Sequence, residues 1–464
     1  ERMGLAETLL TSVTLAGAAI PEGLPAVVTV CLALSVQRMI KKNALVKRLR
    51  SIETLGSITF ICSDKTGTLT KNEMTVKKMY VNHKIVEVTG DGYNTNGVFL
   101  ANGEEVDPGG FLRLLDIAVS CNNATEEFGD PTERALLFAS LKGGVKKRQR
   151  TGEIPFDSDS KFMATFHSSK EGGIGYYKGA PEVILGMCSF IDIDNKTRRL
   201  LQKDLEKINA INHQMADNAL RVLAMAYKKN NSMYFVGLMG MIDPPKDGGK
   251  GALQLCSQAG IGVVMITGDH PRTAAAIAKQ VGMRGEVLTG KEIDEMDDEH
   301  LREYVRTHTI FARTTSEHKV RILNALQRNG EIVAMTGDGV NDAPAVKKAD
   351  VGIAMSQKGT DVTRDTADMV LTDDNFSSIV SAIEQGRVVY ENIKKFVNYL
   401  LSANAGEVGV ILAAMILGWQ LPLLPLQILW LNLMTDSWPA LALGVEKPES
   451  DVMQRKPRNP KESF

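Results

Sequence analysis

Three long apolar stretches near the two ends of the chain restrict its possible folds more than any other feature of the sequence. The first covers residues 8–36 and contains a single charged side chain, Glu22. The second covers residues 396–417, and the third runs from about 426 to 445. Because about 20 apolar residues in a helix cross a bilayer, each stretch is predicted to form a transmembrane helix.

Lysine and arginine side chains flank these stretches on one side of the predicted membrane. Basic clusters follow the first stretch, precede the second and follow the third, whereas the linker 418–425 has no basic residue. Basic flanks of transmembrane helices face the cytosol. The chain is therefore predicted to be a multi-pass integral membrane protein in contact with lipid, with its long polar regions in the cytoplasm.

The composition excludes several classes of function. Lys and Arg number 54 against 55 Asp and Glu, which leaves a formal charge of -1. This balance excludes a strongly basic nucleic-acid-binding protein and an acidic disordered chain, so no nucleic-acid partner is expected. The five scattered cysteines are typical of reduced, buried thiols in a protein that faces the cytosol.

The polar region between the apolar stretches has the pattern of an α/β protein. Short β-branched runs end in loops and precede helical patterns, which predicts a parallel, doubly wound sheet. These runs lie at 58–62, 261–266, 331–335 and 351–355. Residues 74–239 lack this rhythm. They contain predicted strands at 174–179 and 232–240 and a charged helix near 201–228, and we interpret them as a separate insert.

Three motifs follow directly after predicted strands of this sheet. Asp64 opens DKTGTLT at 64–70, Asp338 and Asp342 lie in TGDGVNDAP at 336–344, and a third motif is TGD at 267–269. Open α/β sheets place their chemistry at the carboxyl ends of the strands. Two carboxylates four residues apart suit Mg²⁺, and Lys319 supplies a positive charge for phosphate. The pattern predicts that Asp64 attacks a phosphoryl group and forms an aspartyl phosphate.

Polar side chains interrupt all three apolar stretches. An acidic group at the centre of a bilayer costs about 2.5–3.5 kcal/mol on insertion scales, so such groups indicate a cation pathway. They are Glu22, the i, i+3 pair Asn404 and Glu407, and the i, i+3, i+4 set Asn432, Thr435 and Asp436. The prolines at 21 and 25 should also break the first helix and free the backbone carbonyls of Gly17, Ala18 and Ile20 as ligands.

All of these candidate ligands are oxygen atoms. Hard oxygen ligands suit Ca²⁺, whereas thiolate or imidazole ligands would suit copper or zinc. Calcium is therefore the predicted cargo, and Na⁺, K⁺, H⁺ and Mn²⁺ are the alternatives.

The motifs together resemble those of P-type cation-transporting ATPases, in particular the calcium pumps of the sarcoplasmic-reticulum type. The motifs that carry the resemblance are PEGLP at 21–25, DKTGTLT at 64–70, KGAPE at 178–182, DPPK at 243–246, TGD at 267–269 and TGDGVNDAPA at 336–345. The resemblance implies a Rossmann-like phosphorylation domain of the haloacid-dehalogenase type, an inserted α+β nucleotide-binding domain and three transmembrane α-helices. It also implies ATP-driven transport of a cation, with ATP and Mg²⁺ as cofactors and Ca²⁺ as the transported ion.

The resemblance also implies a division of the chain into successive parts. These parts are a transmembrane helix (1–40), the phosphorylation domain (41–73 and 240–390), the nucleotide-binding domain (74–239), a transmembrane hairpin (391–445) and a cytoplasmic tail (446–464).

The resemblance assigns roles to individual residues. Asp64 is phosphorylated, and Mg²⁺ is held by Asp64, the backbone carbonyl of Thr66 and Asp338, with Asp342 nearby. Phosphate or nucleotide contacts are implied for Thr267, Gly268, Asp269, Lys319 and Asn341. The nucleotide pocket comprises Glu133, Phe156, Lys161, Met163, Lys178 and Arg221. Ser158 stands where the calcium pumps carry an arginine, so one phosphate contact differs.

The cation ligands divide into two implied sites. Glu22, Asn432 and Asp436 form one site, and Asn404, Glu407, Thr435 and Asp436 contribute to a second. An actuator domain and further transmembrane helices, which the family carries outside the matching region, are expected as partners. The rival interpretations are a soluble phosphatase of the same catalytic fold and a nucleotide-binding fragment without catalytic activity.

Overall fold

The computed structural model of the chain describes residues 5–21, 23–169, 172–357, 359–420 and 422–458. The strands, in chain order, are β1 (Ala44–Val46), β2 (Phe60–Asp64), β3 (Thr75–Val81), β4 (Lys84–Val88), β5 (Phe99–Ala101), β6 (Glu104–Glu105), β7 (Arg150–Asp157), β8 (Phe162–Ser169), β9 (Gly172–Gly179), β10 (Phe190–Ile193), β11 (Lys196–Arg199), β12 (Arg221–Lys229), β13 (Ser232–Ile242), β14 (Gly262–Ile266), β15 (Glu286–Thr289), β16 (His308–Ala312), β17 (Val333–Gly337), β18 (Val351–Met355) and β19 (Met369–Leu371).

Helices connect and cover these strands. They are α1 (Leu5–Ala19), α2 (Leu24–Lys41), α3 (Arg50–Leu55), α4 (Leu112–Ser120), α5 (Pro131–Lys142), α6 (Pro181–Met187), α7 (Gln202–Asp217), α8 (Gly249–Gln258), α9 (Pro271–Val281), α10 (Gly290–Glu295), α11 (Asp298–Tyr304), α12 (Ser316–Arg328), α13 (Ala343–Lys348), α14 (Asp361–Thr366), α15 (Phe376–Leu417), α16 (Pro425–Trp430) and α17 (Ser437–Gly444). Short 3₁₀ turns lie at Pro108–Phe111 and Val340–Asp342, and wide π-type turns at Lys65–Leu69 and Leu431–Thr435.

The predicted parallel α/β sheet is confirmed. Eight strands lie in the order β1-β19-β18-β17-β2-β14-β16-β15, and every pair is parallel except the antiparallel edge pair of β1 with β19. Successive residues of the central strand β2 face opposite sides, where Ile61 joins one apolar core and Cys62 another. Both faces are therefore covered, which explains the almost uniformly apolar runs seen in the sequence.

A second sheet of eleven strands is built from the segment between β2 and α8, and it is antiparallel apart from one parallel pair, β10 with β13. The prediction of one charged helix near 201–228 is wrong beyond Asp217, where α7 ends. Ala219 adopts a positive φ of 58°, and β12 then pairs with both β9 and β13. The two neighbouring strands satisfy the backbone of this segment, and that pairing overrides its local helical pattern.

Two short segments join the sheets and run side by side. The amide of Lys71 donates to the carbonyl of Pro244 at 2.9 Å, and the amide of Lys246 donates to the carbonyl of Leu69 at 2.9 Å. An isolated antiparallel bridge links Thr70 with Pro245. The chain therefore leaves the first sheet and returns to it through one narrow, paired connection.

The apolar stretches form helices at the end of the molecule. The break predicted at the prolines is confirmed, because α1 ends at Ala19 and α2 begins at Leu24. Among the described residues, two helical segments, Ser12–Lys41 and Phe376–Leu417, are long and apolar enough to cross a bilayer. The third stretch is helical but divided by the π-type turn at Leu431–Thr435, and its crossing stays a prediction.

Large apolar side chains of these helices project outwards. Ile416 is 84% exposed and Trp438 is 65% exposed, and such a surface is unfavourable in water. The helices nevertheless pack on one another, with Val27 and Cys31 of α2 against Phe396 of α15 and Ala440 of α17.

Candidate functional site

The predicted catalytic residues meet at one edge of the parallel sheet. Asp64 is the last residue of β2 and is in register with Ile266, the last residue of β14. Thr267 is therefore the first residue after β14, at the same edge of the sheet as Asp64. Asp338 follows the last residue of the other neighbouring strand, β17. The amide of Asp64 donates to Thr336 Oγ1 at 3.0 Å. The parallel register therefore brings residues more than 200 positions apart to the same place.

Lys319 joins two carboxylates of this edge. It lies in the first turn of α12 and is buried, with its Nζ 2.5 Å from Asp64 Oδ2 and 2.7 Å from Asp342 Oδ1. Burial alone would lower the pKa of Lys319, but the Asp64 and Asp342 carboxylates outweigh burial and raise it. Lys319 therefore holds a positive charge beside Asp64.

Three carboxylates lie close enough to share one metal ion. Ligand atoms of Asp64, Asp338 and Asp342 all lie within 4.8 Å of one another. Burial, together with the neighbouring charges of Asp64 and Asp342, raises the pKa of Asp338 to about 6. Lys319 offsets part of the negative charge of this cluster. The remaining carboxylate oxygens suit Mg²⁺, which prefers one or two carboxylates and completes its shell with water and phosphate.

The turn after Asp64 brings backbone close to this cluster. Asp64 Oδ1 accepts the amide of Thr66 at 3.2 Å, and Gly67 adopts a φ of 74°, a conformation that favours glycine. Thr267 is buried, and its Oγ1 accepts the amide of Asp269 at 3.1 Å. Asn341 lies exposed in the 3₁₀ turn at Val340–Asp342.

Two buried residues of this edge were missing from the predicted site. Lys65 Nζ lies 2.6 Å from Asp269 Oδ2 and 3.9 Å from Asp243 Oδ2. Asp243 also accepts the hydroxyl of Thr70 at 2.5 Å. Both residues stand in motifs quoted from the sequence, DKTGTLT and DPPK, and their place in those motifs was the available signal. Lys65 ties the start of the connection between the sheets to its return.

The second sheet collects most of the predicted nucleotide residues. Lys178 Nζ lies 2.5 Å from Glu133 Oε1, and both the lysine and the buried Met163 belong to one register pair of β8 and β9. Arg221 Nη1 donates to the hydroxyl of Thr132 at 3.0 Å. Lys178, Glu133 and Arg221 are therefore grouped around the start of α5.

Phe156 lies near the end of β7, and Lys161 lies in the turn between β7 and β8. Phe156 is 61% exposed, and the carbonyl of Lys161 accepts the amide of Ala180 at 3.0 Å, next to β9. Sequence reasoning missed Asn122 and Asn123, which follow α4. The Asn122 amide group donates to the carbonyl of Glu133 at 2.7 Å, and the backbone amide of Asn123 donates to its carboxylate at 3.0 Å. They hold Glu133 in position.

Several polar atoms of the apolar helices are buried without a hydrogen-bond partner among the described residues. Within the described residues, they include Oδ1 and Nδ2 of Asn404, Oε2 of Glu407, Oδ1 of Asn432 and Oδ2 of Asp436. A buried polar atom without a partner is costly in an apolar medium. Asn404 and Glu407 lie on α15, against which α17 packs directly after Asp436. These atoms fit a site for a cation with oxygen ligands.

The other predicted cation ligands divide into three groups. The carbonyls of Gly17 and Ile20 lie 3.2 Å and 3.5 Å from Asn432 Nδ2, so the broken helix contacts the π-type turn, and Ala18 beside them is buried. Thr435 is exposed. Glu22 lies outside the described residues.

Comparisons with known proteins agree with this geometry. Residues 111–248 match the family described as P-type ATPase, cytoplasmic domain N, and residues 420–464 match the one described as cation transporting ATPase, C-terminus. The Bacillus cereus protein named calcium-transporting ATPase 1 is 45% identical over 100% of this chain and 54% of its own length. The chain belongs to the P-type ATPase family.

Other P-type ATPases show the same extent of similarity. The human protein named calcium-transporting ATPase type 2C member 1 is 43% identical over 99% of this chain and 52% of its own length. A Synechocystis protein named cation-transporting ATPase is 42% identical over 98% of this chain and 54% of its own length. The chain thus spans about half the length of the curated relatives it matches.

Proposed function

We propose that this chain is the catalytic and cation-binding core of an ATP-driven calcium pump that is phosphorylated on Asp64. The observation that carries the proposal is the strand-end group of Asp64, Lys319 and the two further carboxylates, with Lys319 Nζ 2.5 Å from the Asp64 carboxylate. A nucleophile beside a fixed positive charge is suited to phosphoryl transfer, where negative charge must be stabilised.

The proposed step is a transfer between two oxygen atoms. A carboxylate oxygen of Asp64 attacks the γ-phosphorus of ATP, the bond from phosphorus to the β,γ-bridging oxygen breaks, and ADP leaves with the bonding electrons. Lys319 and the hydroxyl of Thr267 stabilise the phosphoryl oxygens. Asn341 lies at the open side of the same edge, where it contributes a further donor. Hydrolysis of the aspartyl phosphate releases inorganic phosphate and restores the Asp64 carboxylate.

The residues present fit a magnesium ion as cofactor. Asp64, Asp338 and the Thr66 carbonyl would hold it, with Asp342 nearby, and when bound it would neutralise phosphate charge. Asp342 has a second task in the chain itself, because its Oδ2 accepts the amides of Asp338 and Gly339 at 3.2 Å and 3.1 Å. It thereby shapes the loop that presents Asp338.

We also propose the domain division implied by the resemblance. The parallel sheet belongs to a phosphorylation domain at 41–73 and 240–390, and the eleven-stranded sheet to a nucleotide-binding domain at 74–239. The single paired connection between the sheets supports this division. Gly268 and Asp269, beside Lys65, are proposed to meet the nucleotide from the phosphorylation domain, opposite Lys178 and Glu133.

Calcium is the proposed cargo. Asn404, Glu407, Asn432 and Asp436 carry buried atoms without a partner among the described residues, which supports an oxygen-lined site in the membrane helices. The relatives from Bacillus cereus and human are named calcium-transporting. The proposed location is a membrane that these helices cross several times, with both sheets in the cytoplasm. The Synechocystis relative, whose name specifies only a cation, is the reason to keep another cation as second candidate.

Phosphoenzyme formation tests the cargo. In a protein of full family length that contains this chain, radiolabelled ATP is supplied with one cation at a time. We expect Ca²⁺ to stimulate acid-stable labelling of the protein, and Na⁺, K⁺ and Mn²⁺ to do so weakly. Stimulation by Na⁺ or Mn²⁺ without any effect of Ca²⁺ would disprove the calcium assignment while leaving the pump assignment intact.

The nucleotide pocket gives a second prediction. Phe156→Ala should weaken ATP binding about tenfold, because stacking of a base on an aromatic ring contributes about 1–3 kcal/mol. Lys178→Ala should weaken it at least as much, since it removes a positive charge from the pocket and leaves the half-buried Glu133 carboxylate without its ion pair. Equilibrium binding of a fluorescent ATP analogue measures both effects, and phosphorylation by acetyl phosphate should be unchanged.

Phe128→Ala is the matched control, because Phe128 is another exposed aromatic residue of the same sheet domain, at 76% exposure. Nucleotide affinity that stays at the parent level in both the Phe156 and Lys178 variants would place the pocket elsewhere.

A further inference from the structure

A large cavity lies in the eleven-stranded sheet domain, away from the predicted nucleotide pocket. Its volume is about 1110 Å³, slightly above the range of about 300–1,000 Å³ that is typical of sites for small organic ligands. Its walls include the start of α4, the segment after α5, the start of β9 and the end of β12. Four basic side chains line it, Arg113, Lys146, Arg148 and Lys229, together with two carboxylates.

Each arginine of the cavity is held by a buried carboxylate and a tyrosine. Arg148 donates from Nε to Asp116 at 2.7 Å and 2.9 Å, and the hydroxyl of Tyr176 donates to Asp116 at 2.7 Å. Arg113 donates to Asp192, and the hydroxyl of Tyr227 donates to Asp192 at 3.1 Å. In both groups, one buried aspartate accepts hydrogen bonds from an arginine and from a tyrosine hydroxyl.

The arrangement orients the guanidinium groups without neutralising the cavity. Asp116 is 8% exposed and Asp192 is 4% exposed, whereas the side chains of Arg148 and Arg113 are 48% and 39% exposed. Within the described residues, no partner is assigned to Arg148 Nη1 or to Nη2 of Arg113. The carboxylates therefore grip one edge of each guanidinium and leave another edge towards the cavity.

The cavity is separate from the nucleotide pocket. Strand β12 begins at Arg221, which is one of the predicted nucleotide residues, and ends at Lys229, which lines the cavity. At about 3.3 Å per residue, the two ends lie roughly 26 Å apart. Neither Lys178 nor Phe156 lines the cavity. The two sites thus occupy opposite ends of the same strands.

We propose that this cavity is a binding site for a small, multiply phosphorylated organic anion. Among the described residues that line the cavity, basic side chains outnumber carboxylates, and guanidinium forks match the geometry of phosphate oxygens. No side chain caps the first turn of α4, whose amino-terminal end lines the cavity and favours an anion there. The two held arginines on different walls suit a ligand with two phosphate groups.

The ring contacts argue against a ligand that is recognised through a base. The Arg113 guanidinium lies 5.1 Å from the centre of the Tyr227 ring, whose other neighbour is the parallel ring of Tyr234 at 4.8 Å. The Arg148 guanidinium lies 5.9 Å from the Tyr176 ring, and His167 lies at 5.1 Å from it. Both tyrosine rings thus already contact other side chains and are not expected to stack on a base. We therefore expect the cavity to recognise a ligand mainly through its phosphate groups.

Equilibrium dialysis of radiolabelled pyrophosphate against the whole 464-residue chain in detergent tests the proposal. EDTA removes divalent metal ions, and a non-hydrolysable ATP analogue at saturation fills the nucleotide pocket. We expect one equivalent of pyrophosphate to bind and fructose 1,6-bisphosphate to displace it more strongly than AMP. The double variant Lys146→Gln, Lys229→Gln should weaken binding by roughly three- to tenfold, as two partly exposed ion contacts would.

The lysine variant is chosen because it leaves in place the contacts of Arg113 with Asp192 and of Arg148 with Asp116, and thermal unfolding of this variant checks that its fold is intact. Arg113→Gln and Arg148→Gln should weaken pyrophosphate binding further, with thermal unfolding measured alongside. The control Lys203→Gln, Lys207→Gln removes the same charge from α7 on the opposite face of the sheet and should bind as the parent does. Absence of pyrophosphate binding, or binding lost in Lys319→Gln but unchanged in the Lys146 and Lys229 variant, would overturn the proposal.

Discussion

Asp64→Asn should abolish phosphoenzyme formation while nucleotide binding survives. The amide cannot act as a nucleophile towards the γ-phosphorus of ATP, so labelling from radiolabelled ATP should fall to background. The amide oxygen can still accept a hydrogen bond from Lys319, which lies 2.5 Å from the parent carboxylate. The nucleotide residues belong to the other sheet, so affinity for ATP should stay close to that of the parent.

The measurement is acid-stable, hydroxylamine-sensitive radiolabel on a protein of full family length that contains this chain. Asp365→Asn is the matched control, because Asp365 is an exposed carboxylate of the same sheet domain with a side-chain exposure of 86%. Its labelling should equal that of the parent. Hydroxylamine-sensitive label on the Asp64→Asn protein would show that another residue is phosphorylated.

Asp436→Asn should remove calcium-stimulated phosphorylation from ATP at calcium concentrations that saturate the parent. Asp436 carries a buried oxygen without a hydrogen-bond partner among the described residues, and its charge is tolerable in the membrane only with a bound cation. Calcium requires roughly 6–8 oxygen ligands and responds to their total charge. The same result is expected for Glu22→Gln, an expectation that comes from the sequence alone.

Phosphorylation from inorganic phosphate separates a lost cargo site from a damaged catalytic site, because the reverse reaction of calcium-pump-like proteins does not require the ion. It should survive in both variants and in Glu407→Gln. The loss in Glu407→Gln should be mild if one ion suffices and severe if two are needed. Ser402→Ala, on the exposed side of the same helix α15, should leave calcium stimulation unchanged. Full calcium stimulation in Asp436→Asn would remove Asp436 from the site.

The sequence correctly predicted that the candidate catalytic residues lie at one edge of the sheet, for a physical reason. A parallel sheet places the carboxyl ends of its strands together whatever their separation in the chain, so recognising three strands was enough to group Asp64, Thr267 and Asp338. The boundaries were less accurate, since Asp64 lies inside β2 rather than after it. Periodicity marks the apolar run of a strand but not the last residue that pairs.

Local patterns failed where distant segments decide the structure. The stretch after Asp217 has helical character by itself, but β9 and β13 supply hydrogen-bond partners on both sides and it becomes a strand. Lys65 and Asp243 were missed because their pairing crosses the connection between the sheets. Helix α15 is also longer than its apolar stretch, since its first turns bury Phe376 and Ile379 against the parallel sheet domain.

The sequence by itself determined the kind of chemistry, because residue types and short spacings define it. DKTGTLT after a β-branched run, paired aspartates among glycines, and acidic groups within apolar stretches are local facts that any fold of this chain must accommodate. The family follows from the same local motifs.

Only the tertiary structure decided which atoms of these groups are in direct contact. Lys319 contacts Asp64 across 255 positions, Asn432 reaches the carbonyl of Gly17 across 415, and Arg113 and Arg148 line one cavity although 35 residues separate them in the chain. Such contacts depend on strand register, helix packing and burial, which no short window of sequence contains. Long-range geometry therefore assigns partners to residues whose chemistry the sequence had already indicated.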